Sequence, residues 1–540
     1  MMNAQEYDFI VIGAGSAGCA VASRLSADPS CRVLLLEAGP KDTNPWIHIP
    51  VGYFKTMHNP KTDWCLKTEP DPGIAGRSIA WPRGRVLGGS SSINGLLYIR
   101  GQAEDYNHWR QLGCEGWSYE DVLPYFRRAE GQQHGADEFH GGDGPLSVSD
   151  MRVRRDICDA YIDAAEKNGI PRTNDFNGAH QEGAGYFQLT ARNGFRCSAA
   201  VAYLRPARKR PNLTILTDAQ TQRLTVEGRR ATGVVFQTKA GVQTATARHE
   251  IILSAGAIHS PHLLMLSGIG PEADLRDAGI PVVHHLPGVG QNLQDHLQVR
   301  LSYASTTKTL NDEVNNPILK MGIGLRYALF RSGPMSMGAS QVGIFARVDP
   351  AAATPDVQFH IQPLSSDAPG LGLHKYSAFT ASVCQLRPES RGHLALQSAD
   401  AQQPLAIHPN YLATDKDCDI AVGGIKLARR LAATQPLKGF VKSELLPGPD
   451  VQSDDELLDF ARHHATTIYH PVGTCKMGTD PLAVVDSRLR VVGIEGLRVA
   501  DASIMPTLVS GNTNAPAIMI GEKAADMILK DYASTRKAVA

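Results

Sequence analysis

Short apolar runs that end in glycine turns mark both ends of the chain, and a block richer in neighbouring strands lies between them. Phe9 to Ile12 is a four-residue apolar run, the pattern of a central parallel strand covered on both faces. It leads into Gly13-Ala14-Gly15-Ser16-Ala17-Gly18 and then a helix, and Arg32 to Leu36 forms a second run that ends in Glu37. Leu213 to Leu216, Thr221 to Val226 and Gly233 to Phe236 read as strands joined by tight turns, and Glu250 to Leu253 as a buried strand. Ser254 to Gly270 repeats the strand–turn–helix build, with Pro261 early in its helix and Gly268 after the last turn. A last strand, Leu497 to Ala500, ends in Asp501; Ser510 to Gly521 then opens a helix with Thr513 or Asn514 as cap and Pro516 in its first turn.

The stretches between differ. Pro40 to Gly84 has little periodicity and reads as an extended surface excursion. Glu104 to Glu130 reads as mainly helical, with Trp109, Leu112, Val122, Leu123, Tyr125 and Phe126 facing a core. Ile157 to Asn168 is a helix ended by Gly169. From about residue 311 to 460, Val342 to Val348, Val357 to Gln362, Phe379 to Leu386 and His393 to Gln397 read as strands with few helices between them, the pattern of an antiparallel sheet. Ile420 to Leu431 reads as a helix.

Composition narrows the function. The 540 residues are too many for one core, so two packed domains are expected. Lys plus Arg equals Asp plus Glu at 54 each, which gives no sign of a nucleic-acid partner. The nine cysteines are odd in number, scattered and without a C-x-x-C pair, which argues against a disulfide framework or a zinc site and for a reducing compartment. No signal peptide precedes the first strand and no apolar run reaches about 18 residues, so a cytoplasmic chain without a transmembrane span is expected, with peripheral association at the inner face of the membrane left open.

Candidate chemistry begins at the first turn. Gly13, Gly15 and Gly18 have G-x-G-x-x-G spacing: a sharp turn, a close approach for a pyrophosphate, and tight packing of the new helix on the strand. The helix N-terminus offers free N–H groups to phosphates. Glu37 lies where a ribose-binding carboxylate belongs. This motif alone does not separate NAD from FAD. Pro82 to Gly95 is dense in Gly and Ser but holds Val86, Leu87 and Ile93, which suits a loop ordered around a phosphate or ring better than a flexible one. Near the C-terminus, Ile468 to Gly478 places His470 in a glycine-containing loop.

Together these stretches resemble the glucose-methanol-choline (GMC) flavoprotein oxidoreductases, and within them the bacterial FAD-dependent primary-alcohol dehydrogenases. The resemblance rests on the N-terminal fingerprint with Glu37, on Gly84 to Asn94, on Ser254 to Gly270, and on the His470 and Asn514 segments, in the family's order across nearly the whole chain. It implies an α/β fold: a Rossmann-like FAD-binding domain (residues 1–155, 190–310 and 460–540) interleaved with a substrate domain built on an antiparallel sheet with helices (156–189 and 311–459).

Carried over by position, the resemblance implies that Gly13, Gly15, Gly18 and Glu37 hold the ADP half of FAD. Gly88, Gly89 and Ser90 would lie along the pyrophosphate, Asn94 and Gly95 near the reactive edge of the flavin, and Thr221 at adenine. Asp501 would approach the pyrophosphate and ribityl chain, and the helix near Asn514 would point its N-terminus at the flavin. Ser16, Ala17, Ala38, Arg85, Ala255, Gly256, Ala502, Asn512 and Thr513 complete the candidate cofactor set; no metal ligand is expected. Some family oxidases attach FAD through a histidine just before this Asn; Ile93 stands there, so non-covalent FAD is expected.

The implied reaction is oxidation of a primary alcohol to an aldehyde, with proton abstraction by His470, hydride transfer to flavin N5, and Asn514 donating its amide to the developing alkoxide. Electrons would pass to an acceptor other than NAD and not oxygen, a quinone or a redox protein. The stretch Leu310 to Leu325, the expected lid, holds Asp312 and Glu313 but no aromatic residue before Tyr327, which disfavours choline, whose trimethylammonium needs aromatic faces and a carboxylate. A peroxide-producing alcohol oxidase, a choline dehydrogenase, a non-redox hydroxynitrile-lyase-like activity and a non-catalytic flavin-binding protein are the alternatives.

Overall fold

The computed structural model describes residues 5–367 and 372–539. Two seven-stranded sheets carry the fold. In the first, strand Gln5–Ile12 lies at the centre. Val33–Leu36 and then Leu213–Leu216 extend it in parallel on one side, and Gly241–Leu253 pairs in parallel on the other. Parallel neighbours on both edges and burial on both sides explain the unbroken apolar run: Phe9 to Ile12 are at most 3% exposed. The 13-residue strand Gly241–Leu253 serves two partners. Its end runs parallel to Gln5–Ile12 and Leu497–Val499; its start turns back as an antiparallel hairpin with Arg230–Thr238, which continues into Gln220–Glu227.

Helices Ser16–Leu25 and Asn514–Val539 pack across the chain's two ends. Gly521 makes this contact, since a Cβ there would sit 2.5 Å from the Ala17 carbonyl oxygen. The next residue, Glu522, is fully buried and accepts from Arg24, Arg128 and Tyr203. A buried carboxylate needs such partners.

The second sheet is antiparallel, in the order Val441–Leu446, Leu297–Ser305, Ala378–Gln385, Val357–Gln362, Val342–Ala346, Gly183–Tyr186. Helices Asp156–Lys167, Asp415–Ala432 and Asp454–His464 join one face in a core with Val299, Leu301, Phe359 and Ile361. Period-two alternation sends Gln298, Arg300, Gln358, His360 and Gln362 to the opposite face. That polar face positions the site.

Three expectations need correction. Leu297–Ser305, expected within the first domain (190–310), is an inner strand of the second sheet, because its alternation supplies one face to each domain. His393–Ala395 pairs only with Ala406–His408, in a separate two-stranded sheet. Pro40 to Gly84 is no surface excursion: Ile47, Ile74 and Trp81 are buried, and Tyr53, Phe54 and Met57 line the central cavity. Irregular backbone hides this because its burial has no period to read.

Gly18 tests the packing at the first turn. A Cβ there would lie 1.9 Å from the Gly13 carbonyl oxygen. Gly18→Ala is expected to destabilise the protein by about 3 kcal/mol, the upper end for overpacking, read as a lower urea midpoint and a lower flavin-to-protein absorbance ratio.

Candidate active site

A cavity of about 320 Å3 lies between the two sheets. Three helices begin at its wall: Ser16–Leu25, Gly256–Leu266 and Asn514–Val539. Their unpaired N–H groups and positive dipole ends converge, as an anionic group such as a pyrophosphate requires. Side-chain-free backbone opens the room for it: Gly95 and Gly256 line the cavity, and a Cβ on either would meet nothing within 4 Å. Two buried polar atoms on the wall, Thr221 Oγ1 and His262 Nε2, have no protein partner. Unpaired buried polar atoms are costly, so these suit a polar ligand that completes them.

The sequence nominees mostly meet here. Gly13, Gly15, Ser16 and Ala17 line the cavity with Glu37 and Ala38; so do Gly89, Ser90, Asn94 and Gly95 from the second loop. Thr221, Ala255, Gly256, Asp501, Ala502 and Thr513 complete the wall. Glu37 accepts from the N–H groups of Ala14 (3.0 Å) and Gly39 (2.8 Å), and burial pushes its carboxyl up to about 7. Asp501 accepts from Gly256 N, Ser260 Oγ and Ser503 N, so its carboxylate fixes the start of helix Gly256–Leu266. Burial raises it above the usual carboxylate range.

Gly18, Gly88 and Arg85 do not line the cavity. Gly18 packs helix on strand. Gly88 N donates to the Ala14 carbonyl at 2.8 Å and ties the two glycine loops together. Arg85 lies over the Trp64 ring at 4.9 Å, a cation–π contact.

His470 sits on the wall, 7% exposed. Its N–H donates to Asp295 Oδ1 at 2.7 Å, and Asp295 also accepts from Tyr411 and Thr467. The preceding residue, Tyr469, has φ +71°, a left-handed conformation that costs free energy in a non-glycine residue and sharpens the turn presenting the imidazole. Burial first, then His296, His360 and Arg83, holds His470 well below the ordinary histidine pKa.

A chain of hydrogen bonds sets its tautomer. The Leu386 carbonyl can only accept, so His296 donates to it from Nε2–H at 2.9 Å. Burial lowers His296 to about 4, so it is neutral and its Nδ1 carries a lone pair. That atom lies 2.9 Å from His470 Nδ1, which must then be the donor. The lone pair of His470 therefore sits on Nε2, where the Asn512 amide donates to it at 3.2 Å. Asn512 Oδ1 in turn accepts from Gln358 Nε2.

Asn512, not Asn514, is thus the amide beside His470. Asn514 lies two residues further, at the first position of the helix, where its Oδ1 accepts from Ser16 Oγ at 2.8 Å. One helical start turns consecutive residues to different sides, and sequence order could not say which asparagine faced the imidazole. His296, Arg300 and His360 were also missed; the available signal was the alternation of His296, Gln298 and Arg300 through one strand.

Comparisons with known proteins agree with this geometry. The family model described as GMC oxidoreductase matches residues 7–298 in its N-terminal part and 388–521 in its C-terminal part. The chain is a GMC oxidoreductase. It is 47% identical to the mitochondrial choline dehydrogenase of Mus musculus, over 97% of this chain and 89% of that protein. It is 44% identical to the alcohol dehydrogenase [acceptor] of Pseudomonas putida, over 97% and 96%. Among solved structures, a variant of the Aspergillus oryzae formate oxidase, made to examine FAD modification, has a TM-score of 0.91 at 28% identity, covering 99% of this chain and 100% of that one. This GMC oxidoreductase binds FAD, and the convergent helix starts and glycine-lined wall fit that cofactor. Among the described residues, no helix is long and apolar enough to cross a membrane.

Asp501→Ala would release three donors, two of them at the start of helix Gly256–Leu266. The expected outcome is a purified protein with less than half the wild-type flavin per chain, by the ratio of visible to ultraviolet absorbance.

Proposed function

We propose that this GMC oxidoreductase is an FAD-dependent alcohol dehydrogenase that oxidises a primary alcohol to an aldehyde, with FAD held non-covalently and electrons passed to an acceptor other than NAD and not oxygen. The observation that carries the reading is the fixed lone pair on His470 Nε2, facing the cavity beside Asn512. Bound flavin supplies the acceptor for the hydride that leaves the alcohol carbon.

The chain's own residues do the rest. His470 takes the hydroxyl proton at Nε2. As the imidazole gains charge, the His296 lone pair remains an acceptor for its Nδ1–H and stabilises the cation. Asn512 donates to the Nε2 lone pair before substrate binds; once the alcohol hydroxyl takes that place, its amide hydrogens are available to the alcohol oxygen. The start of helix Asn514–Val539 favours negative charge beside it. Burial excludes water that would compete for the proton.

The cavity wall also bears on the substrate. From the second sheet it receives Gln298, Arg300, His360 and Gln362, with Tyr53 and Tyr469 nearby. Arg300 makes one long hydrogen bond, 3.4 Å to the Ser366 carbonyl. Arg83 lines the same cavity and donates to the Tyr469 carbonyl. The only carboxylates on the wall, among the described residues, are Glu37 and Asp501, both engaged by backbone N–H groups. Asp295 and Asp63 lie within electrostatic reach of Arg83, and Asp367 of Arg300, behind the wall; on the wall itself the two guanidinium groups attract oxygen acceptors more than a quaternary ammonium. The reading is therefore a primary alcohol whose far end presents oxygen acceptors. Choline is the second reading, favoured by the 47% identity to the mouse choline dehydrogenase.

Flavin bleaching by alcohols under nitrogen tests these points. His470→Ala is expected to slow reduction about 10²–10⁴-fold with FAD still bound. Asn512→Ala is expected to slow it about 10²–10³-fold, and Asn514→Ala by less than about tenfold; the reverse order would restore Asn514 to the catalytic role. Because the folded-state pKa of His470 is depressed, its neutral form persists below pH 6.5. The expected kcat/KM for reduction is flat from pH 8 to 6, and a fall centred near 6.5 would contradict the buried base. Arg300→Leu is expected to raise KM for alcohols ending in ether or carboxylate groups by about tenfold or more while leaving simple alkanols little changed. Turnover of choline matching the best neutral alcohol would overturn the substrate reading.

A further inference from the structure

Helix Pro317–Phe330 is apolar over most of its length, yet Tyr327 is its one buried residue. Ile318, Met321, Leu325, Leu329 and Phe330 are 59–74% exposed. Nothing lies within 4 Å of where a Cβ would stand on Gly322 or Gly324. A helix apolar around its girth belongs in a protein core or a bilayer, and an exposed patch of this kind marks a contact surface.

The patch extends beyond the helix. Phe195, 38% exposed, packs edge-on against Tyr327, and Arg331 lies over its ring at 4.8 Å. Helix Pro45–His48, which carries Trp46 at 40% exposure, contacts strand Phe195–Arg196. The helix and its C-terminal flank carry charges of one sign; the nearest acids are already engaged, Asp42 with His48 and Arg205, Asp312 with Thr309 and Ser377, and Glu313 with Arg155. Lys320, Arg326 and Arg331 belong to this segment, Arg192 is exposed in the adjoining hairpin, and no Asp or Glu occurs from residue 314 to 348.

We propose that helix Pro317–Phe330, with Phe195 and Trp46, seats the enzyme on the surface of an anionic phospholipid bilayer. Two copies of the chain meeting through this face would oppose like charges, whereas anionic headgroups complement them. At 14 residues the helix is too short to span and suits an interfacial helix lying in the membrane plane. Its lysine and arginine stems can run along the apolar surface with their heads among the headgroups, and Trp46 has the ring type enriched at such interfaces. The turn Pro334–Ser336 contacts both this helix and the turn Pro50–Gly52, which leads directly to Tyr53 and Phe54 on the cavity wall. The seat therefore lies beside the aromatic side of the active-site cavity. This holds whichever alcohol the site oxidises.

Flotation of the FAD-loaded enzyme with vesicles tests the seat, comparing phosphatidylcholine alone with phosphatidylcholine containing one third phosphatidylglycerol. Wild type is expected to float with the phosphatidylglycerol vesicles at least tenfold more than with phosphatidylcholine alone, and to be released by 0.5 M salt. Leu325→Glu with Phe330→Glu is expected to abolish flotation while flavin content and alcohol-dependent dye reduction match wild type. If that variant does not fold, Lys320→Gln with Arg326→Gln decides: loss of the phosphatidylglycerol preference supports the seat, and an unchanged preference overturns it. Wild type that stays in solution with both vesicle types overturns the proposal. So does a wild-type dimer that ignores vesicles and falls to monomer in the Glu variant, which would assign the face to a second copy.

Discussion

Backbone meeting backbone, at distances only glycine permits, is the contact on which this protein depends. A Cβ on Gly13 would lie 2.5 Å from the Ser254 carbonyl oxygen, and one on Gly89 would lie 2.7 Å from the Gly15 Cα. Gly39 meets the backbone of Arg85, Gly84 that of Gly89, and Gly521 that of Ala17. Five stretches, separated by up to 500 residues, are thereby drawn into one wall. The helix starts and free N–H groups brought together there are what a pyrophosphate needs. The family's cofactor therefore binds where the chain has dispensed with side chains, and the apolar strands behind it hold that backbone still.

The opposite wall works on the contrary principle, with polar side chains crowded out of water. His296, His360 and His470 share one buried region, and burial holds all three neutral. Neutral histidines have tautomers, and a tautomer must be set by a group with no choice of role. The Leu386 carbonyl supplies it, and the order passes through His296 to His470. The antiparallel sheet makes this arrangement: its alternation turns Val299 and Leu301 into the helical core and Gln298 and Arg300 toward the cavity. A single strand, Leu297–Ser305, thus belongs to the stability of one domain and to the chemistry between the two.

Likeness to named relatives and the local wall give different weight to the substrate. Identity near 45% extends over the whole chain to proteins named for choline and to one named for alcohols. Whole-chain identity counts mostly the shared scaffold, whereas the substrate reading proposed above rests on a few cavity residues. Arg300 from the second sheet and Arg83 from the loop opposite both line the cavity, with Asp295, Asp63 and Asp367 behind them, and the proposed preference for an oxygen-bearing alcohol over a quaternary ammonium rests on that pair.

The sequence by itself determined the elements whose signal is local. The run from Phe9 to Gly18, the acid at Glu37, the strand–turn–helix at Ser254 and the antiparallel character of residues 342–386 are each written within a few neighbouring residues, because period and turn chemistry are short-range properties. It also nominated His470, through the resemblance to the family's motif, and the structure puts that residue on the cavity wall. Only the tertiary structure decided which asparagine faces that histidine, that Arg85 stacks on Trp64 instead of lining the cavity, and that Pro40 to Gly84 lies partly inside. These depend on which way a side chain turns once distant segments dock. Asn512 and Asn514 differ by two residues and look alike in the sequence; the rotation at a helix start, fixed by Gly521 against Ala17 and by Ser16 against Asn514, separates them.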